Sequence, residues 1–160
     1  MKHEKLFELA KPYLRENDFG VAHTERVFEL GRKYFNISDE VLDEVYALII
    51  LHDIGGSSIN EQYQKGPDIA SALMKKLDYP EQTIRNVAEM IRKHHEKLIN
   101  PSKAFMILFD SDQLVKFSEE EFVHYKAKDT NWNTIIDSMY YQDSKILARR
   151  MLVKRTMHNP

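Results

Sequence analysis

The sequence predicts an all-α fold, a bundle of helices in one domain. Apolar residues recur at spacings of three and four through nearly every segment, and alternating β-branched runs are scarce. Helix starts and stops also recur at intervals suited to short, closely packed helices.

Taken in order, residues 4–14 form a first short helix. The turn Asn17-Asp18-Phe19-Gly20 leads into a longer helix carrying Val21, Val27, Leu30 and Tyr34, with His23 in its first turns. Ser38 can cap a third helix, and Asp39 and Glu40 place negative charge in its first turn. The apolar face Val41, Leu42, Val45, Tyr46 and Ile49 leads to His52-Asp53, where Gly55-Gly56 stop the helix. Residues 57–65 are polar and glycine-flanked, which predicts a loop. Gly66-Pro67-Asp68 then opens a helix with Pro67 at its first position and Ile69, Leu73 and Leu77 along one face. Pro80 marks the next start, and Ile84, Val87, Ala88 and Ile91 lead to His94-His95. Pro101-Ser102 opens the apolar stretch 104–109, which runs into Asp110-Ser111-Asp112. Ser118 followed by Glu121 fits a capping box. Residues 132–153 read as helical, with a break near Gln142.

Composition narrows the function classes. The 160 residues suit one domain with its own core, spanning 1–160. The net charge is −2, the pI is about 6.4, and lysine and arginine are spread along the chain, so no nucleic-acid footprint is expected. Cysteine is absent, which excludes thiolate catalysis and disulfides and leaves histidines and carboxylates as the strong metal ligands. A reducing cytoplasm is the expected location. The longest apolar stretch, near residues 47–51, is far too short to span a bilayer.

The residues with the most chemical potential are His23, the pair His52-Asp53, the doublet His94-His95, and Asp110 and Asp112. Imidazole and carboxylate together suit a borderline transition metal. Each lies in or beside an apolar helical pattern, so they are candidates for one buried site. An isolated histidine in such a chain is more often a packed or solvated side chain than a ligand. It is the order and spacing of the whole set that matter.

His23, His52-Asp53 and Asp112 resemble the ligand pattern of the HD superfamily of metal-dependent phosphohydrolases, and Leu51-His52-Asp53-Ile54-Gly55 is similar to its HDIG form. The resemblance covers about residues 21–115, with the C-terminal helices at 118–155 outside it. It implies a compact helical bundle of the HD-domain type. It also implies that His23, His52, Asp53 and Asp112 bind one divalent metal ion, drawn from manganese, cobalt, nickel, magnesium, zinc and iron.

Asp110 and Asp112, two apart on a helix, point about 200° from each other and cannot share one ion. Apolar residues accompany both faces, so periodicity does not choose between them. The family pattern, in which the second aspartate ligates, selects Asp112. Gln113 replaces the basic residue usual after it, and Asp110 is expected either to support the ligands from behind or to serve local hydrogen bonding.

His94 and His95 suit a helix C-terminus on electrostatic grounds alone. They also look like a stretch that holds a second metal in some HD proteins, and His94-His95-Glu96 resembles HD-GYP cyclic dinucleotide phosphodiesterases. Against that identity, Gly56 stands where those proteins carry a lysine, no Gly-Tyr-Pro follows Glu96, and no histidine lies near Lys65. One metal is therefore expected, with His94 or His95 facing substrate.

The resemblance implies hydrolysis of a nucleotide or other small phosphorylated metabolite by metal-activated water, with Asp53 orienting that water or accepting its proton. Lys65 is the first candidate for a phosphate-binding cation, ahead of Arg26, Arg92 and Lys93. Tyr63, Tyr125, Trp132, Tyr140 and Tyr141 are candidates for a base pocket or for packing. Two other classes fit the same pattern: an HD-type di-iron oxygenase, for which the histidine near Lys65 is missing, and a non-catalytic nucleotide-sensing module. No nucleic-acid or membrane partner is expected, and the sequence sets no oligomeric state.

Overall fold

The computed structural model describes residues 2–15 and 19–158. Asn17 and Asp18 of the expected turn lie outside the described residues, while Phe19 and Gly20 form a turn. The described chain is helical: α1 (Lys2–Leu14), α2 (Val21–Tyr34), α3 (Asp39–Leu51), α4 (Ile59–Lys76), α5 (Glu81–Ile91), α6 (Lys103–Leu114), a 3₁₀ turn (Val115–Phe117), α7 (Phe122–Lys126), α8 (Trp132–Ser138) and α9 (Gln142–His158). No strand occurs among the described residues, as the all-α reading expects. None of the helices is long and apolar enough to cross a membrane.

The centre of the bundle is α3. Every residue from Val45 to Leu51 is buried, so this helix is apolar all round at its C-terminal half and must be enclosed by others. It packs against α1, α2, α5 and α6. Each fully buried leucine or isoleucine there contributes about 1.5–3 kcal/mol of transfer free energy. The consequence for function is positional, because His52 and Asp53 follow directly on the most deeply anchored element.

The turn after α3 needs glycine. Gly55 and Gly56 have φ of 118° and 146°, conformations that side chains rarely adopt. A Cβ on Gly55 would lie 2.7 Å from the Gly66 backbone nitrogen, and one on Gly66 would lie 2.6 Å from the Ile54 carbonyl oxygen. The turn therefore seats directly on α4.

That seat explains a departure from the sequence reading. Residues 57–65 were expected to form a loop, with a helix starting at Pro67. Instead α4 begins at Ile59: Ser58 accepts a hydrogen bond from the Glu61 backbone N–H at 3.2 Å, and its hydroxyl donates to the Glu61 carboxylate at 3.1 Å. Ser58 and Glu61 thus supply the start signal. Gly66-Pro67 is a close-packing point inside the helix, with both residues buried.

Other boundaries follow their caps. Ser102 accepts from the Phe105 N–H and Asn131 from the Thr134 N–H. The expected break before Gln142 is held by Asp110, whose carboxylate oxygens accept the backbone N–H groups of Tyr140 and Tyr141 at 2.8 and 2.9 Å. Tyr140 in turn donates its hydroxyl proton to the Leu98 carbonyl at 2.9 Å. A smaller apolar cluster of Leu114, Phe117, Ile136, Met139 and Ala148 attaches α8 and α9 to the end of α6. Trp132 packs there, with its ring edge-on to Phe122 at 4.6 Å.

Candidate metal centre

Five helices bring their ends to one point. His23 comes from the first turn of α2, His52 and Asp53 from the end of α3, His94 and His95 from just beyond α5, and Asp112 from the last turn of α6. The fifth, α7, is preceded by Glu121. His23 Nε2 lies 3.2 Å from Asp53 Oδ2 and 3.1 Å from Asp112 Oδ1. His52 Nε2 lies 3.2 Å and 3.5 Å from the same two oxygens. The other oxygen of Asp53, Oδ1, is 3.4 Å from His94 Nε2.

The imidazoles are oriented from behind. His52 Nδ1 donates to the Ile49 carbonyl at 2.6 Å, and His94 Nδ1 donates to the Ile91 carbonyl at 2.8 Å. These bonds place a ring proton on Nδ1, so that when the ring is neutral each Nε2 lone pair faces the carboxylates. Both Nε2 atoms are buried without a hydrogen-bond partner. A buried polar atom so left is costly unless something else engages it. His23 Nδ1 faces both carboxylate oxygens of Glu121 at 3.1 Å, and Arg26 Nε donates to Glu121 at 2.8 Å. A carboxylate behind an imidazole is the usual support of a metal-ligating histidine.

The donor set fits a cation electrostatically. Burial alone would lower the pKa of His23, but Asp112, Asp53 and Glu121 overcome it and raise the pKa far above the ordinary imidazole range. For His52 burial again opposes protonation, and Asp53 and Asp112 raise the pKa to about 10. Burial would raise the pKa values of Asp53 and Asp112, yet the facing imidazoles hold both well below the carboxylate norm. The carboxylates thus demand positive charge at their common centre. Protons and a divalent ion compete for the same nitrogens, so affinity for the ion rises with pH.

Among the described residues, two triplets have donor atoms within 4.8 Å of one another: His23, His52 and Asp112, and Asp53, His94 and His95. The second is held differently. Gln62 donates its amide N–H to the Gly56 carbonyl at 3.1 Å, which turns its oxygen toward His95 Nε2, also at 3.1 Å. His95 therefore carries its proton on Nε2 and presents the Nδ1 lone pair. Burial and the neighbouring His94 push its pKa down to about 4, so it is neutral near pH 7. The Tyr63 hydroxyl accepts the His95 backbone N–H at 3.1 Å, fixing the turn that carries the doublet.

The cluster opens into a cleft of about 260 Å³ whose walls include Phe19, Ser57, Ile59, Gln113, Lys116 and Tyr125. A larger hollow of about 510 Å³, between the end of α2, α6 and α9, contains none of the clustered groups. The clustered chemistry, rather than size, identifies the cleft.

Of the residues expected from sequence, the structure brings together His23, His52, Asp53, His94, His95 and Asp112. Asp110 faces away and holds the α8–α9 connection. Lys65 is also elsewhere: it lies on the exposed side of α4, 3.7 Å from Glu61 Oε2, and does not line the cleft. The expected loop would have let it reach over the metal, whereas the helix turns it outward. Arg92 and Lys93 are exposed and paired with Glu89 at 3.8 and 3.5 Å. Arg26 is engaged by Glu121.

Sequence reasoning missed Glu121, Gln62 and Lys116. Glu121 was read as the second half of a capping box, but its carboxylate turns inward and is fully buried. The signal was the spacing of Arg26 three residues beyond His23, on the same face of α2. Lys116 follows Asp112 by four residues, one turn along the same face.

A helical bundle with imidazoles and carboxylates converging at the mouth of a cleft defines, by geometry, an all-α protein whose clustered side chains could hold a metal ion. The HD domain family matches residues 20–133, and the chain belongs to that family. Its fold is similar to the crystal structure of a predicted HD superfamily hydrolase from an uncultured Thermotogales bacterium. That similarity has a TM-score of 0.69 at 16% identity and covers 97% of this chain and 87% of the other. No curated protein sequence matches it significantly.

Proposed function

We propose that the protein is a metal-dependent phosphohydrolase acting on a nucleotide or other small phosphorylated metabolite. The observation that carries the metal dependence is the buried Nε2 of His52, which makes no hydrogen bond, faces the carboxylates of Asp53 and Asp112 and is locked there by its Nδ1–H bond to Ile49. HD-family membership supports it.

His23 and His52, each through Nε2, together with Asp53 and Asp112, would hold one divalent ion: manganese, cobalt, nickel, magnesium, zinc or iron. When bound, such an ion polarises a phosphoryl oxygen and lowers the pKa of an attached water from about 15.7 toward roughly 7. Asp53 has a second task, because Oδ2 faces His23 and His52 while Oδ1 faces His94. Oδ1 is placed to orient the attacking water and accept its proton. Neutral His95, fixed by Gln62 and Tyr63, offers a hydrogen-bond acceptor to substrate. The setting is the reducing cytoplasm, in keeping with a chain that has no cysteine.

The split of the Asp53 oxygens also favours a second reading, in which Asp53, His94 and His95 hold a second ion. Metal content distinguishes the two: one equivalent per chain supports the single ion expected from sequence, and two equivalents support the bridged pair.

The functional test is a panel of nucleotides and sugar phosphates assayed with each divalent metal. The expected result is phosphate release that depends on added metal and not on oxygen. Oxygen-dependent product would point to the oxygenase class instead, and nucleotide binding without turnover to a sensor.

A further inference from the structure

We propose that Lys116 binds the phosphoryl group of the substrate and so supplies the cation that the sequence reading sought in Lys65. This deepens the phosphohydrolase reading and rests on it for the identity of the ligand.

Among the described residues, Lys116 is the one lysine or arginine that lines the cleft. Its ammonium donates to Gln113 Oε1 at 3.0 Å and stands 5.4 Å from the centre of the Tyr125 ring. No carboxylate engages it among the described ion pairs, whereas Lys65, Arg92, Lys93 and Arg26 are all paired with glutamates. An ammonium has three N–H donors, so two remain after Gln113. Gln113 and Tyr125 hold the head group at the wall without neutralising it.

Charge at the floor of the cleft requires such a group. With one divalent ion bound, the three carboxylates of Asp53, Asp112 and Glu121 would be balanced by that ion and the Arg26 guanidinium, leaving no net positive charge for an incoming phosphate. Lys116 restores it. Lys116 lies on the 3₁₀ turn that continues directly from α6, four residues after Asp112, so its stem starts on the same wall of the cleft as that carboxylate. Gln113, on the last turn of α6, supports the ammonium through its side-chain oxygen.

The test is calorimetric titration of inorganic phosphate into the manganese-loaded protein. Lys116→Met should weaken phosphate binding roughly 10- to 100-fold, the span expected for losing a charge-assisted hydrogen bond. Lys116→Arg should restore most of that loss, and the manganese content and affinity of both variants should equal those of the wild type. Unchanged phosphate affinity in Lys116→Met, no saturable phosphate binding by the wild type, or lost manganese in Lys116→Met would each overturn the assignment. Turnover does not enter this test. Lys116-dependent phosphate binding with no hydrolysis across the metabolite panel would remove the hydrolase reading and leave the phosphate subsite standing.

Discussion

Asp53→Asn is expected to cut kcat/KM for phosphate release on the order of a thousandfold, about 4 kcal/mol of transition-state stabilisation. The substitution keeps shape and removes charge. Asp53 Oδ2 sits between His23 and His52 at 3.2 Å from each, so the loss falls on the group that balances two imidazoles and would help to fix the ion. Its Oδ1 faces the second side of the cluster and loses the basicity needed to take a proton from water. Steady-state kinetics on the best substrate of the panel, with circular dichroism to verify helicity, measures the effect. Wild-type turnover in the variant would show that the chemistry lies elsewhere.

Glu121→Gln is expected to lower metal affinity about 10- to 100-fold, the effect usual for groups that orient a metal-bound histidine. Glu121 touches no candidate donor atom, yet its two oxygens face His23 Nδ1, and Arg26 holds it in place. The amide retains one acceptor and loses the charge that would strengthen His23 as a ligand. Competition against a chelator reads the affinity directly. A merely structural role at the start of α7 would lower the melting temperature and leave metal affinity unchanged. Glu121→Ala should be worse, because it removes both acceptor oxygens from His23 Nδ1 and leaves the half-buried Arg26 guanidinium without its counter-charge.

Much of the fold was legible because local signals and apolar period agreed. Ser38, Pro80 and Ser102 mark real helix starts, and α3 announced its burial by an uninterrupted apolar end. The failure at residues 57–65 came from weighing Gly66-Pro67 as a helix start. Glycine there serves the close approach of Ile54, and the proline is carried within α4. Period could not reveal this, because the reason is a contact between segments distant in sequence.

The site divides the same way. His23, His52, Asp53 and Asp112 were legible through a family pattern, and their convergence within hydrogen-bonding distance follows from where α2, α3 and α6 end. Glu121 lies 98 residues from His23 and carried an adequate local explanation as a cap, so nothing in its own neighbourhood pointed inward. Lys116 was overlooked in favour of Lys65 because motif proximity stood in for direction. Helical geometry sends Lys65 to solvent and keeps Lys116 on the face of Asp112.

The most direct test of the central claim is anomalous X-ray diffraction, at the absorption edge of the bound metal, from crystals grown with manganese or zinc. An anomalous peak at bonding distance, about 2.0–2.2 Å for zinc, from His23 Nε2, His52 Nε2, Asp53 and Asp112 is the predicted result. A peak coordinated by other residues, or none at this cluster in metal-saturated crystals, would contradict it.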